Sequence, residues 1–144
     1  MPKKKTLAEL LQDKQLLGKD QINPLLEKAK TNKLTLLQVI RQEQLVDEKK
    51  LAKTIAEFLH LPFADLTEIE IEKEALAIVP LESARTYKFI PFNFNEQNKK
   101  VKVAMIDPQD LKALEALEFL TESRGMTAEV YVTDEIGFQN SLKN

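Results

Sequence analysis

Apolar positions in the first sixty residues form two matching series. Leu7, Leu10 and Leu11 are followed by Leu16-Leu17, with the polar run Gln12-Asp13-Lys14-Gln15 between them. A shift of 29 positions carries this series onto Leu36, Val39 and Ile40 and then Leu45-Val46. The correspondence extends through Thr6/Thr35, Gln15/Gln44, Ile22/Leu51 and Leu26/Ile55. Spacings of three and four predict helices. A repeat of this length is a supersecondary unit that cannot bury its apolar face alone, so each copy must pack on the other. The first copy predicts a helix from about Thr6 to Lys14, then a second helix capped by Gly18 and carrying Ile22, Leu25, Leu26 and Ala29. Pro24 removes a backbone bond and crowds the preceding turn, so this second helix either kinks near Asp20 or starts late with Asn23 as its cap. Residues 30–33 connect the copies. In the second copy Thr35 caps one helix and Asp47 caps another over 48–59, its carboxylate accepting from free N–H groups at the positive helix end.

His60-Leu61-Pro62-Phe63 ends the helical pattern, proline just past a helix being an ordinary stop. A further helix is expected over 72–87, broken or tightened at Pro80, with Leu76, Val79, Leu81 and Ala84 inward. The period then changes. Residues 87–94 read as a strand, and Pro91 assigns it to an edge or a strand start. A polar turn at 95–99 leads to Lys100-Val101-Lys102-Val103-Ala104-Met105-Ile106, which alternates like a strand with one solvated face. After Asp107-Pro108, Leu111, Leu114, Leu117, Phe119 and Leu120 predict an amphipathic helix. Residues 127–132 form a third strand, and Thr133-Asp134 caps a last helix running through Phe138 and Leu142. The expected fold class is α+β: a duplicated helical-hairpin module over 1–66, with repeats at 6–29 and 35–58, then a ββαβα subdomain with a three-stranded sheet over 67–144.

Composition narrows the function. With 43% hydrophobic residues in 144, the chain can bury a core, and 21 basic against 23 acidic residues leave a formal charge of −2. That balance provides no field for nucleic acid, which is not an expected partner. The absence of cysteine removes disulfides and thiolate metal sites and fits a reducing compartment. No apolar run approaches the ~20 residues that span a bilayer, so direct membrane insertion is not expected. Met1-Pro2-Lys3-Lys4-Lys5 lacks the apolar stretch of a secretory signal and reads as a solvated tail. His60, the single histidine, sits at a helix end without evident ligand partners. Asp107 and Asp110 fit a strand-to-helix turn better than a catalytic carboxylate pair. Glu68, Glu70, Glu72 and Glu74 alternate around Ile69 and Ile71 and read as a solvated approach to a helix rather than a metal rim. Phe89, Phe92 and Phe94 are expected in core or edge packing, not stacked on bases. No catalytic residue, metal ligand or cofactor is expected, and the chain is not read as an enzyme.

Two blocks carry a resemblance. One is Leu59-His60-Leu61-Pro62-Phe63-Ala64-Asp65-Leu66 after the duplicated helices. The other is Val103-Ala104-Met105-Ile106-Asp107-Pro108-Gln109-Asp110-Leu111-Lys112-Ala113-Leu114, continued by Leu117-Glu118-Phe119-Leu120-Thr121. With Ile78-Val79-Pro80 and Arg85-Thr86-Tyr87 between them, the chain from about Leu7 to Leu142 resembles the N-terminal domain of the type II secretion and type IV pilus assembly ATPases. The resemblance implies a non-catalytic accessory domain that docks or regulates the motor ATPase at an inner-membrane platform protein. Such a domain would be cytoplasmic, and peripheral to the inner membrane through its partners. The ATPase core is not expected here: there is no Gly-x-x-x-x-Gly-Lys-Ser/Thr, and Gly18, Gly125 and Gly137 cannot form a glycine-rich phosphate cradle. The chain is then an excised N-terminal piece or a standalone relative without a motor.

Some members of that family bind cyclic di-GMP through the duplicated helical motif, which runs Arg-Leu-Gly, a later glycine before a Leu-Leu pair, and a closing glutamine. Position by position, the arginine is replaced by Thr6 and Thr35, and the first glycine by Ala8 and Leu37. The second glycine becomes Gln15 and Gln44, and the glutamine becomes Ala29 and Phe58. A charge-assisted contact contributes roughly 1.5–3 kcal/mol and a neutral hydrogen bond about 1. Losing both in each half removes on the order of 5–8 kcal/mol after allowance for non-additivity, or at least ~10³ in affinity. Cyclic di-GMP is therefore not an expected ligand through this motif. Two other classes remain open: a divergent cyclic dinucleotide sensor using the replacement residues, and a standalone regulator that mimics the ATPase N-domain.

Overall fold

The computed structural model describes residues 6–142; the tail read at Met1–Lys5 lies outside the described residues. Among these, eight helices and three strands follow in the order α1 Leu7–Asp13, α2 Lys19–Thr31, α3 Leu36–Glu43, α4 Glu48–Leu59, α5 Lys73–Leu76, α6 Leu81–Tyr87, β1 Phe89–Asn95, β2 Lys100–Met105, α7 Leu111–Glu122, β3 Thr127–Val132 and α8 Glu135–Leu142. The fold is α+β, a duplicated pair of helical hairpins followed by a ββαβα unit.

The repeat is legible in the backbone. Thr6 and Thr35 cap α1 and α3, their hydroxyls accepting from the N–H of Glu9 (3.2 Å) and Gln38 (3.1 Å). Gln38 answers by accepting from the Thr35 N–H at 2.8 Å, completing a capping box. Gln15 and Gln44 both adopt positive φ, 60° and 52°. The N–H of Leu16 then bonds the Leu11 carbonyl (3.0 Å), and that of Leu45 the Ile40 carbonyl (3.5 Å). Gly18 and Asp47 stand at the N-caps of α2 and α4. The α2 helix starts directly after Gly18, whose N–H is held by Gln21 Oε1 at 2.8 Å. It does not start late: Asn23 lies inside the helix, and Pro24, near its beginning, deprives only the Asp20 carbonyl of a partner. The helix runs to Thr31, so the connector lies at 32–35 and not at the expected 30–33.

The single helix expected over 72–87 is two short ones. Pro80 stands at the N-cap of α6, where its missing N–H costs nothing. Val79 and Ala84 are buried as expected, together with Ala75 and Ile78, but Leu81, also expected inward, is 51% exposed. In α7 the buried stripe is Ala113, Leu117 and Thr121, spaced by four, so Leu111 and Phe119 point outward and are each 72% exposed. The turn after α7 uses Gly125 at φ +69°, a conformation side chains avoid.

The sheet order is β1-β2-β3, with β1 antiparallel and β3 parallel to β2, which α7 makes possible as the crossover. Register slips between Pro91 and Asn93, leaving Phe92 in a bulge on the edge strand. Residues of one sheet face, Val101, Val103 and Met105, pack with Phe89, Ala113 and Leu117. On the other face Ala104 and Ile106 meet Ile90, Phe92 and Phe138. A third cluster joins Leu11, Ile40, Leu51 and Ile55 of the helices to Val132 of β3. Because α4 lies against β3 and α8 as well as α1, the two copies are not equally buried: Ile55 is 1% exposed, its counterpart Leu26 44%.

Glu72 corrects the reading of a solvated acidic approach. It is half-buried, its N–H bonds the Phe92 carbonyl (3.2 Å), and its Oε1 accepts from the Phe94 N–H (2.9 Å), covering the outer edge of β1.

Candidate functional site

The residues at the positions that the resemblance assigns to a nucleotide motif do structural work within the fold. Thr6 and Thr35 are exposed helix caps. Leu37 and Ala29 are 5% and 6% exposed and belong to the helical core, with Ala8 packed against it. Phe58 is half-buried on α4, while Gln15 and Gln44 are exposed at left-handed turns. The fold brings Ala8, Ala29 and Leu37 to one apolar cluster, whereas the polar replacements stay at helix ends. Left-handed backbone costs a non-glycine residue roughly 1–2 kcal/mol, so the turns keep a shape that glycine would hold more cheaply.

A second locus joins the helices to the sheet, and its members carried no signal in the sequence. Arg41, on α3, reaches across to donate to the Ile106 carbonyl at 3.4 Å and lies 3.2 Å from Glu48 Oε1. Glu48 Oε1 in turn accepts from the Glu135 N–H at 3.3 Å, and Lys88 Nζ approaches Glu135 Oε1 at 3.8 Å. The Arg41 Nε is buried without a hydrogen-bond partner among the described residues. Burial pushes the Glu48 carboxyl above its ordinary range, and the Arg41 charge opposes that shift. These groups border a cleft of ≈ 480 Å³ that also touches Gln44, Val46 and the exposed Ile136. Two cations balance two carboxylates, and no nucleophile stands beside a base. The arrangement is a clasp between the halves, with none of the geometry that proton or acyl transfer requires.

Lys49 and Asp65 form another link, at 2.6 Å, between α4 and the segment that follows it. The Lys49 contact, with help from Thr67, holds the Asp65 carboxyl below its usual range, and Asp65 raises Lys49. The remaining candidates are structural. Asp110 Oδ1 caps α7 through the N–H of Lys112 (3.0 Å) and Ala113 (3.4 Å). Asp107 Oδ1 accepts from Gln109 (3.1 Å), and His60 is the left-handed C-cap of α4. Phe89 and Phe92 are buried, and Phe94 is half-buried. Thr133, expected with Asp134 at the α8 cap, donates to the Ala64 carbonyl at 2.9 Å; Asp134 alone accepts from the Gly137 N–H at 2.5 Å. Among the described residues no group of three or more metal-ligating side chains converges, and no helix is long and apolar enough to cross a membrane.

This architecture is that of N-terminal domains attached to larger motor proteins. A solved structure of MshE with cdg superposes with a TM-score of 0.80 at 23% identity, covering 96% of this chain and 97% of that one. The N-terminal domain of XpsE superposes with a TM-score of 0.74 at 21% identity, covering 95% and 91%. In sequence, the type IV pilus assembly ATPase PilB of Thermus thermophilus is 32% identical over 138 residues, 96% of this chain and 15% of the relative. PilB of Myxococcus xanthus is 25% identical over 137 residues, 95% of this chain and 23% of the relative. The chain thus spans less than a quarter of either ATPase. The MshEN domain model matches residues 59–136, more than half of the sequence, and the chain belongs to the MshEN domain family.

Proposed function

We propose that this domain is a non-catalytic interaction module of a type II secretion or type IV pilus assembly system, docking or regulating the motor ATPase at an inner-membrane platform protein. Family membership together with the PilB relatives carries this reading. The domain would act in the cytoplasm, held at the inner membrane by its partners. The test is a pull-down of the 144-residue chain with the cytoplasmic part of the platform protein from the same machine. The expected result is a complex at tens of micromolar; none at that concentration overturns the docking role.

A second reading is favoured by one observation, that the MshE structure carries cdg: this chain would be a cyclic di-GMP receptor. Its two left-handed turns at Gln15 and Gln44 retain the backbone such a site would use. Against it, the positions of the motif's arginines, Thr6 and Thr35, are spent on helix caps, and Leu37 occupies the core. We expect calorimetry to show no binding of cyclic di-GMP up to about 100 μM; a micromolar dissociation constant would establish the receptor reading.

A further inference from the structure

The two edges of the sheet are finished differently. At β1 the outer edge is taken by Glu72, backbone and side chain together. At β3 the cover is one residue long. The N–H of Thr127 bonds Lys99 (2.9 Å) and that of Thr133 bonds Met105 (3.0 Å), so odd positions of β3 face β2. Even positions face away. There the Val132 N–H donates to Pro62 (2.9 Å), and the Val132 carbonyl accepts from Ala64 (2.8 Å), with Phe63 opposite in an isolated parallel bridge. The chain then leaves. Ala128 and Val130 present their backbone groups to the same side, and among the described residues no strand lies beside them.

Alongside this edge runs a groove of ≈ 400 Å³ between α7 and β3, with Leu114, Leu117, Met126, Ala128 and Val130 on its apolar wall. Glu118 and Glu122 stand on its α7 side, with Arg124 the nearest cation in sequence. On the reverse face of β3, Glu129 lies 3.8 Å from Lys100. A strand laid against Ala128 and Val130 would send alternate side chains into the apolar groove and the others past Glu129, with Glu118 and Glu122 at the rim. β2 meets β3 from the other side with this chemistry: Val101 and Val103 lie on the α7 face, and Lys100 meets Glu129.

We propose that the open edge of β3 at Ala128 and Val130, with the adjoining α7 groove, accepts an extended segment of a partner protein in which apolar residues alternate with lysine or arginine. Strand addition supplies affinity through main-chain hydrogen bonds, and the alternating side chains supply selectivity. The short edge limits the contact and protects the free domain from edge-to-edge aggregation. The site goes beyond the docking role above and does not depend on which protein supplies the strand.

The probe is the acetylated, amidated hexapeptide Lys-Val-Lys-Val-Ala-Met, titrated into the ¹⁵N-labelled 144-residue chain. Chemical-shift changes are expected at Ala128, Val130, Leu114 and Met126, with amide exchange at Ala128 and Val130 slowed about tenfold or more at saturation. Val130→Pro removes an outward N–H without touching the β2 ladder, which an edge strand tolerates, and is expected to weaken binding about tenfold or more. The variant Glu129→Lys, on the face that the peptide's lysines would share, keeps the backbone edge. It is expected to weaken this peptide several-fold and to strengthen Glu-Val-Glu-Val-Ala-Met. No shift at Ala128 and Val130 at millimolar peptide overturns the proposal, as does equal binding of a peptide with proline at its central position. Sedimentation showing a dimer whose Ala128 and Val130 amides are protected without peptide assigns the edge to a second copy and overturns it too. Peptide binding with a failed platform pull-down removes only the docking role; the converse removes only this site.

Discussion

The helical and the sheet-containing halves treat their outward residues in opposite ways. In the helices, the positions of the resembled ligand motif now cap, turn or fill: Thr6 and Thr35 close helix starts, and Leu37 and Ala29 are core. In the sheet half, large apolar residues stand outside, with Phe119 and Leu111 each 72% exposed and Ile136 63% exposed. One strand edge there is also incompletely covered. A surface whose polar positions serve the fold has little left to offer a partner, whereas exposed apolar groups and free backbone groups are what association consumes. Under the proposed docking role, this contrast favours the sheet half as the recognition surface.

The largest effects should come from breaking what the halves share. Leu51 and Phe138 are 0% exposed, and Val132 of the sheet sits in the helical core. Leu51→Ala should cost about 2–5 kcal/mol and Phe138→Ala about 3–5. Each should shift one common urea transition followed by circular dichroism; separate transitions for the two halves would show that the shared core does not couple them.

Next comes the clasp. Arg41→Ala leaves Glu48 half-buried without its cation and should cost about 1–3 kcal/mol. The pH dependence sharpens this. Glu48 has its carboxyl pKa raised on folding, so the folded state holds the proton more tightly and stability declines as pH rises from about its ordinary 4.5 through the raised value. Removing Arg41 removes an opposing influence and should extend that decline to higher pH, while Glu48→Gln should abolish it; urea midpoints measured from pH 4 to 8 read both. Asp65 has the opposite sign. Its depressed pKa contributes stability that is present above 3.8 and lost as pH falls through the folded value, a loss that Asp65→Asn should remove.

Asp47→Ala deletes the α4 cap, whose Oδ2 accepts from Lys50 at 3.1 Å, and should cost about 1 kcal/mol. Gln44→Gly and Gln15→Gly relieve left-handed side-chain crowding at the cost of unfolded-state entropy, for a net gain of up to about 1 kcal/mol in thermal midpoint analysis. The smallest stability change belongs to Phe119→Ala, within about 0.5 kcal/mol. If exposed apolar residues are what the sheet half uses to bind, the same variant should still reduce capture of the platform protein.

Most of the architecture was legible in order and period. The 29-residue repeat, the caps at Thr35, Asp47 and Asp110, the strand alternation at Lys100 to Met105 and the edge proline at 91 all act within a few residues, and the structure keeps them. Of the two readings that Pro24 left open, the late start fails because a proline near a helix start forfeits a single bond, less than the rest of α2 gains by burying Ile22, Leu25 and Ala29. At the positions that the resemblance assigns to the nucleotide motif, the cap at Thr35 was readable, whereas the packing of Ala8, Ala29 and Leu37 into one core was not. The Arg41 clasp had no signature, since its partners come from 65 residues away at Ile106 and 87 residues from Glu48 at Glu135.

The sequence by itself determined the duplicated helices, the helix ends, the succession of strands and the absence of a glycine-rich phosphate loop, because hydrogen bonding and periodicity act locally along the chain. Tertiary structure alone decided that α7 turns Ala113 and Leu117 to the sheet and Phe119 to water, that Ile55 of α4 is buried where its counterpart Leu26 of α2 is not, and that β3 keeps an open edge. Those outcomes depend on how elements cross and which neighbour reaches a face first, and a local pattern of apolar residues permits several such arrangements until packing selects one.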